Sequence, residues 1–264
     1  MNKILLICLF LFPLPILAAN EEKPTTKLEV LWNGDFTAGR KISGTVIIRD
    51  IASGNALSDN DLRYNNKRKI HLLIVDPTLT DLQHIHPDSS TTPYAFNFSF
   101  TPKFSSGYKI WTDIIPSSTD KHEFLNGWIG DKERSFIERR VSYKTIMDGY
   151  SFVLSFNNPP VNGQISIANV NITDPENKPT KWPNDAVNKP YISAEYINVV
   201  GFYEDNEHIF SAQQIIEQGS LFEQFAGPNV RFKIEPKQPG FVKMFMQITL
   251  NGKEMLVPFG FVVE

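Results

Sequence analysis

The segment that decides the fold spans residues 69–87 and reads KIHLLIVDPTLTDLQHIHP. Its first part, Lys69 to Val75, is apolar and β-branched, which is typical of a strand, and Leu82 to His86 alternates polar and apolar residues as a second strand does. Between them, Asp76-Pro77-Thr78-Leu79 has the composition of a turn. The segment therefore predicts a β-hairpin.

The rest of the chain repeats this pattern of short alternating stretches separated by turns. Strand-like segments include Leu28 to Trp32 and Lys41 to Ile48, and clusters such as Ser105-Ser106-Gly107 predict turns between strands. The 264 residues are 41% apolar and include 18 Pro, 15 Gly and 20 Phe. That composition favours many short strands over long helices, so we expect an all-β protein.

The first nineteen residues have the pattern of a secretory signal peptide. Lys3 precedes an apolar run from Ile4 to Leu17, which ends at the small pair Ala18-Ala19. The run is shorter than the ~20 residues that a membrane-spanning helix needs. We predict cleavage near residue 19, no membrane span after cleavage, and a mature protein that is periplasmic or secreted. Its only cysteine, Cys8, would be removed with the signal peptide.

Two internal similarities predict a tandem repeat. Arg40 to Asp50 resembles Gly163 to Asp174, and Phe100 to Ile110 resembles Ile234 to Lys243. The offset between the copies has the length of a whole domain rather than of a solenoid unit. After the signal peptide, residues 1–19, we expect two tandem immunoglobulin-like β-sandwich domains, residues 20–148 and 149–264, the second a degenerate repeat of the first.

Charge and motifs argue against several classes of function. The chain has 26 basic and 29 acidic residues, for a formal charge of −3, and its longest basic run is Lys67-Arg68-Lys69. Binding to nucleic acid is therefore not expected. The sequence has no Gly-x-Ser-x-Gly elbow, no His-Glu-x-x-His motif and no phosphate loop. We expect a protein that is not an enzyme.

Three of the five histidines, His71, His84 and His86, fall in the predicted hairpin. His84 and His86 share one face of their strand because they are two residues apart. With a loop of two, three or four residues, the residue opposite His71 is 84, 85 or 86, respectively. Loops with an even number of residues, two or four, therefore set His71 directly opposite His84 or His86. Three converging imidazoles would suit Cu²⁺ or Zn²⁺. Asp88 is a further candidate ligand, although its position is typical of a turn residue.

The chain resembles a family of secreted bacterial two-domain proteins. The resemblance rests on His71-Leu72-Leu73-Ile74-Val75-Asp76 and His84-Ile85-His86-Pro87, and it continues in Gly240-Phe241-Val242-Lys243 near the C-terminus. More loosely, the hairpin is similar to YtkA-like periplasmic domains, which implies copper or other metal handling. The second half departs from the family pattern, because His208-Ile209-Phe210-Ser211 stands where relatives repeat the His-x-His-Pro motif. A second metal site is therefore not expected.

Two functions remain open. One is a non-enzymatic metal-binding or metal-handling protein of the bacterial envelope, with copper or zinc held by the three histidines. The other is a β-sandwich interaction or surface module, which binds an envelope or extracellular protein and no metal. In either, residues 211–229 form an insertion that could cover the lost second site or act as a contact loop. The hairpin register discriminates between them, because the metal hypothesis fails if His71 points to the face opposite His84 and His86.

Overall fold

The computed structural model describes residues 23–65, 68–89, 91–131, 137–180, 192–205, 208–214, 229–250 and 252–264. The predicted signal peptide and most of the 211–229 insertion lie outside these residues. Within them, the only helix is a single 3-10 turn, Asp59–Asp61, and no helix is long and apolar enough to cross a membrane. The described part of the chain is all-β, as predicted, whereas the two immunoglobulin-like domains stay a prediction.

The first half of the chain forms a two-layer structure. Its apolar core lies between two antiparallel four-stranded sheets, ordered β1-β2-β6-β5 and β4-β3-β7-β8, and both contribute to it, as Ile48 and Phe98 do from one and Leu72 and Ile110 from the other. The described strands of this half are β1 Thr26–Asn33, β2 Ile42–Asp50, β3 Ile70–Val75, β4 Leu82–Ile85, β5 Asp88–Ser89, β6 Phe96–Phe100, β7 Tyr108–Ile114 and β8 Glu123–Ile129.

The strands that the structure describes in the second half belong to one sheet, in the order β16-β15-β12-β13-β14-β11-β10-β9. It packs around a second core that includes Phe152, Phe232 and Met244. Its described strands are β9 Lys144–Met147, β10 Tyr150–Phe156, β11 Ser166–Thr173, β12 Ile192–Tyr203, β13 Ile209–Gln214, β14 Asn229–Ile234, β15 Gly240–Leu250 and β16 Lys253–Val263.

The single sheet differs from the two separate sheets expected of an immunoglobulin-like sandwich. The reason is β13, which changes partner along its length. Its first residues, Ile209 to Ala212, pair with β12, whereas Gln213 and Gln214 pair with β14. This strand therefore connects what would otherwise be two sheets.

The order of strand pairing recurs between the halves. The order β4-β3-β7-β8 in the first half corresponds to β13-β12-β15-β16 in the second. The two hairpins also begin alike, with Val75 paired to Leu82 in one and Phe202 paired to Ile209 in the other. This correspondence lets positions in one half be compared with positions in the other, and it agrees with the tandem repeat that remains a prediction.

A third apolar cluster joins the two halves through β3. Every residue of this strand is buried. Leu72 points into the core of the first half, whereas Leu73 and Val75 pack in a cluster with Val200 and Phe202 of β12. Because side chains alternate along a strand, one face of β3 serves its own domain core and the other contacts the second half. His71 shares this second face with Leu73 and Val75.

The start of β1 is held against β8 by one buried carboxylate. Glu123 is 6% exposed, and its two oxygens accept hydrogen bonds of 2.5–3.0 Å from the backbone amides and hydroxyls of Thr25 and Thr26. Burial raises the pKa of Glu123, but these donors outweigh burial and hold its pKa below the ordinary value. The carboxylate is therefore stabilised in its charged form by the fold.

We expect Glu123→Gln to lower the free energy of unfolding at pH 7 by about 1.5–3 kcal/mol, since an amide nitrogen would face donors in place of a charged acceptor. The contribution of a group with a depressed pKa is present above its unfolded pKa and is lost as pH falls through its folded pKa. The difference between the two proteins should therefore shrink below about pH 4.5 in urea titrations. Glu29→Gln, which removes a solvent-exposed ion pair with Arg49, is the matched control and should cost at most about 1 kcal/mol.

Candidate metal centre

The register of the histidine hairpin is set by Asp76. One carboxylate oxygen accepts hydrogen bonds of 2.7 Å from the backbone amides of Thr80 and Asp81, and the other accepts one of 2.9 Å from the amide of Thr78. The backbone amide of Asp76 also donates to the carbonyl oxygen of Asp81, which leaves a four-residue loop, Pro77 to Thr80, and the next pair is Val75 with Leu82. The pairing is the four-residue register, one of the two even-loop cases that set His71 on the same face as His84 and His86.

The three imidazoles converge at the open end of this hairpin. The Nδ1 atom of His71 lies 3.0 Å from Nε2 of His84 and 3.2 Å from Nε2 of His86. One ring nitrogen from each residue lies within 4.8 Å of the others. Three nitrogens at ~2.0–2.1 Å from one tetrahedral ion would stand about 3.3 Å apart. The two separations from His71 Nδ1 are therefore within a few tenths of an ångström of those in a site with a shared metal ion.

Outer hydrogen bonds fix where two of the ring protons lie. His71 Nε2 is 2.9 Å from the carbonyl oxygen of Asn65, which can only accept, so this nitrogen carries the proton. His84 Nδ1 contacts Oε1 of Gln247, and Nε2 of Gln247 donates to Glu254 at 2.6 Å, which orients the amide oxygen towards His84. Both imidazoles therefore direct an unprotonated nitrogen into the cluster, as metal-ligating histidines do.

The environment keeps His84 and His86 neutral. Burial lowers the pKa of His84, and its hydrogen bond to Gln247 offsets this only in part. Burial, followed by the charges that His84 and His71 would carry, lowers the pKa of His86 to about 4. At pH 7 both rings are uncharged, which is the form that binds a metal ion.

The cluster lies where the two halves meet. His71 is 5% exposed, and Gln247 of β15, also 5% exposed, reaches His84 from the other half of the chain. On the same face of β3, Leu73 packs with Phe202 of β12. The site is therefore built mainly by the hairpin of the first half and is completed by one side chain of the second.

A carboxylate extends the polar network beside the histidines. Asp113 of β7 is directly opposite His71 in the sheet, and its Oδ2 accepts a hydrogen bond of 3.0 Å from the Asn65 side chain. Its Oδ1 accepts a hydrogen bond of 3.0 Å from Nδ1 of His122, which raises the pKa of His122. Asp113 thereby holds Asn65, whose carbonyl in turn orients His71.

Other candidate ligands from the sequence lie outside the cluster. Asp88 is exposed in β5, and among the described residues the histidine cluster consists of His71, His84 and His86 alone. His208 lies in the turn of the second hairpin, with its Nδ1 2.6 Å from Oδ2 of Asp205. The hairpin correspondence shows that the three ligand positions are filled in the second half by other residue types, Asn198, Ser211 and Gln213.

Comparisons with known proteins do not name a family. No family model and no curated protein matches the chain. Among solved structures, a putative membrane anchored protein from Corynebacterium diphtheriae is similar over 90% of this chain and 58% of its own, at 11% identity and a TM-score of 0.25. Domains 4 and 5 of the S-layer protein SbsC are similar over 90% of this chain and 96% of theirs, at 10% identity and a TM-score of 0.21. Likeness this low assigns no function, and the resemblance to secreted two-domain and YtkA-like proteins stays a prediction.

Proposed function

We propose that this protein is an exported, non-enzymatic metal-binding protein of the bacterial envelope, which holds Cu²⁺ or Zn²⁺ with His71, His84 and His86. The proposal includes two tandem immunoglobulin-like domains, residues 20–148 and 149–264, with the site in the first. The fold and the hairpin register support it, since they bring the three rings together on one buried face.

The observation that carries the proposal is the direction of the ring protons. If the three histidines were only packing residues, their facing nitrogens would be expected to share hydrogen bonds, with one donor for each acceptor. Instead, Asn65 and Gln247 take the protons of His71 and His84 on the outer sides of the rings. Two lone pairs then face each other at 3.0 Å, and a cation between them turns this repulsion into two bonds.

The donor set favours copper over zinc and a binding role over electron transfer. Three neutral imidazoles suit both ions, and the general affinity order places Cu²⁺ above Zn²⁺. The only cysteine, Cys8, lies in the predicted signal peptide, so the mature protein would have no thiolate ligand. The site would therefore lack a strong ligand-to-copper charge-transfer band. A nitrogen-ligated site with weak visible absorption is better suited to storage, delivery or sensing.

Metal titration of the purified, chelator-treated protein tests this function. We expect saturable one-to-one binding of Cu²⁺ in competition with a chromophoric chelator, weaker one-to-one binding of Zn²⁺, and nitrogen hyperfine structure in the electron paramagnetic resonance spectrum of the copper form. The variants His122→Ala and His208→Ala, which remove imidazoles outside the cluster, should bind as the wild type does. Absence of saturable binding of either ion would reject the function and favour the interaction module.

Gln247 should tune the site from the second half of the chain. In Gln247→Leu, His84 loses the acceptor for its Nδ1 proton, and we expect Cu²⁺ affinity to fall by about 10-fold with one-to-one stoichiometry retained. The copper spectrum should also shift, which a purely structural defect would not cause. Gln238→Leu is the matched control, since Gln238 binds Asp205 at the surface. Wild-type affinity and spectrum in Gln247→Leu would contradict this role.

A further inference from the structure

The histidine cluster supplies three ligands, one fewer than a closed metal site has. Among the residues that the structure describes, the group of possible ligands consists of His71, His84 and His86. Asp113 is held elsewhere, since its oxygens accept hydrogen bonds from His122 and Asn65. Structural zinc sites have four protein ligands, whereas sites with three leave the fourth position to water or to a ligand from solvent. The ligand count therefore indicates an open position.

The cluster is reached from solvent on the side of His86. The outer nitrogens of His71 and His84 are covered by Asn65 and Gln247, and His71 is 5% exposed. His86 is half-buried and lines two clefts, of about 260 and 590 Å³, which His71 and His84 do not line. A small ligand can therefore approach the cluster past His86.

The charge of the site favours an anion over a neutral ligand. An imidazole binds a metal ion in its neutral form, so three of them leave a divalent ion with its full double positive charge. A charge in a largely buried site is costly unless an opposite charge accompanies it. A small anion in the fourth position would offset part of this charge, and a neutral ligand would not.

Arg68 strengthens this preference. It is exposed and lines the smaller cleft together with His86. Burial and the charges of the other two histidines lower the pKa of His86, and the positive charge of Arg68 lowers it further, so this charge acts at the ring. Lys69, in the same cleft, is already paired with Asp59 at 2.6 Å. The cation that favours an incoming anion is therefore Arg68.

We propose that the metal ion held by His71, His84 and His86 takes a small anion from solvent as its fourth ligand, which enters past His86 and is favoured by the charge of Arg68. This inference rests on the proposed function and names the class of ligand that completes the site. Asp88, which is exposed and lines both clefts, is the protein group that would compete for the position.

Azide is the probe, because it is a small anion whose binding to Cu²⁺ produces a new charge-transfer absorption. We titrate it into the full chain loaded with one equivalent of Cu²⁺, at constant pH and ionic strength. The absorption should saturate with one azide per copper and a dissociation constant below about 10 mM, in the range of weak ligands. The nitrogen hyperfine structure of the imidazoles should persist in the electron paramagnetic resonance spectrum.

Two arginine variants test the role of charge. Arg68→Gln should weaken azide binding about threefold, the effect of one unit charge acting through a solvent-filled cleft, without lowering Cu²⁺ affinity. Arg40→Gln removes an exposed arginine that lines neither cleft and should leave azide binding unchanged. Equal azide affinity in the wild type and Arg68→Gln would contradict the proposed part of Arg68.

The copper titration without azide separates this inference from the proposed function. One-to-one copper binding with no azide absorption up to about 10 mM would overturn the open position and leave the metal site intact. Azide binding in Asp88→Asn but not in the wild type would make Asp88 the fourth ligand and overturn it as well. Loss of the imidazole hyperfine structure as the absorption forms would mean that azide removes the metal, which also contradicts the proposal. Absence of copper binding would reject both.

Discussion

Replacing His84 by alanine is expected to reduce Cu²⁺ affinity by about 100-fold. Structural zinc sites gain about 10–16 kcal/mol from four protein ligands, so one ligand is worth roughly 3 kcal/mol, or about two powers of ten in the dissociation constant. The loss at His84 should be at the upper end, because Gln247 Oε1 then also loses its donor inside a buried site. Competition titration of wild type and variant measures this difference directly.

The control variants separate ligand loss from unfolding. His86→Ala removes a half-buried ring whose Nε2 faces Nδ1 of His71. It should lose Cu²⁺ affinity while the contact between Gln247 and His84 is kept. His208→Ala removes a surface histidine and should bind normally. If His84→Ala bound Cu²⁺ with wild-type affinity while its melting temperature and circular dichroism were unchanged, the three-histidine site would be wrong.

The hairpin could be predicted from the sequence because its signals are local. The β-branched run before Asp76 and the alternation after it fix two strands, and a spacing of two puts His84 and His86 on one face. The loop length could not be fixed, because loops of two, three and four residues all fit the same turn composition. The structure resolves it through Asp76, whose side chain holds three backbone amides of the loop.

The outer partners of the histidines could not be predicted, because they are contacts between residues distant in sequence. Gln247 is 163 residues from His84, and no local pattern marks it. Asn65 acts on His71 through its backbone carbonyl, which every residue type has, so its identity carries no signal. Composition and spacing therefore predict which three rings lie close together. Which nitrogen of each ring carries the proton follows only from contacts in the tertiary structure.

The second half shows where a sequence comparison can misplace a residue. His208 stands near the expected His-x-His-Pro motif, but pairing of Phe202 with Ile209 puts it in the turn, before the strand positions that correspond to His84 and His86. The sheet also departs from expectation because β13 pairs on both sides. Register across a hairpin depends on loop closure, and one residue of slippage changes which face a side chain occupies.

Phe202→Ala is expected to lower the free energy of unfolding by about 3–5 kcal/mol, since it removes a fully buried aromatic ring and leaves a cavity. Phe202 packs edge-on against Phe245 at 6.1 Å between ring centroids, in the cluster that also holds Leu73 and Val75 of the histidine strand. The cavity would therefore open between the halves rather than inside either core.

Because Phe202 packs between the halves, its replacement is expected to change the number of unfolding transitions in a denaturation experiment. If the third cluster couples the halves, the wild type should unfold in one transition, and Phe202→Ala should separate it into two, because each half keeps its own core. Ile146→Ala, at a position that is 67% exposed on β9, is the apolar control and should cost less than about 0.5 kcal/mol. A loss below about 1 kcal/mol in Phe202→Ala would be well under the range for a buried aromatic. It would show that contacts other than this cluster hold the halves together, and that the bond between Gln247 and His84 does not depend on the cluster.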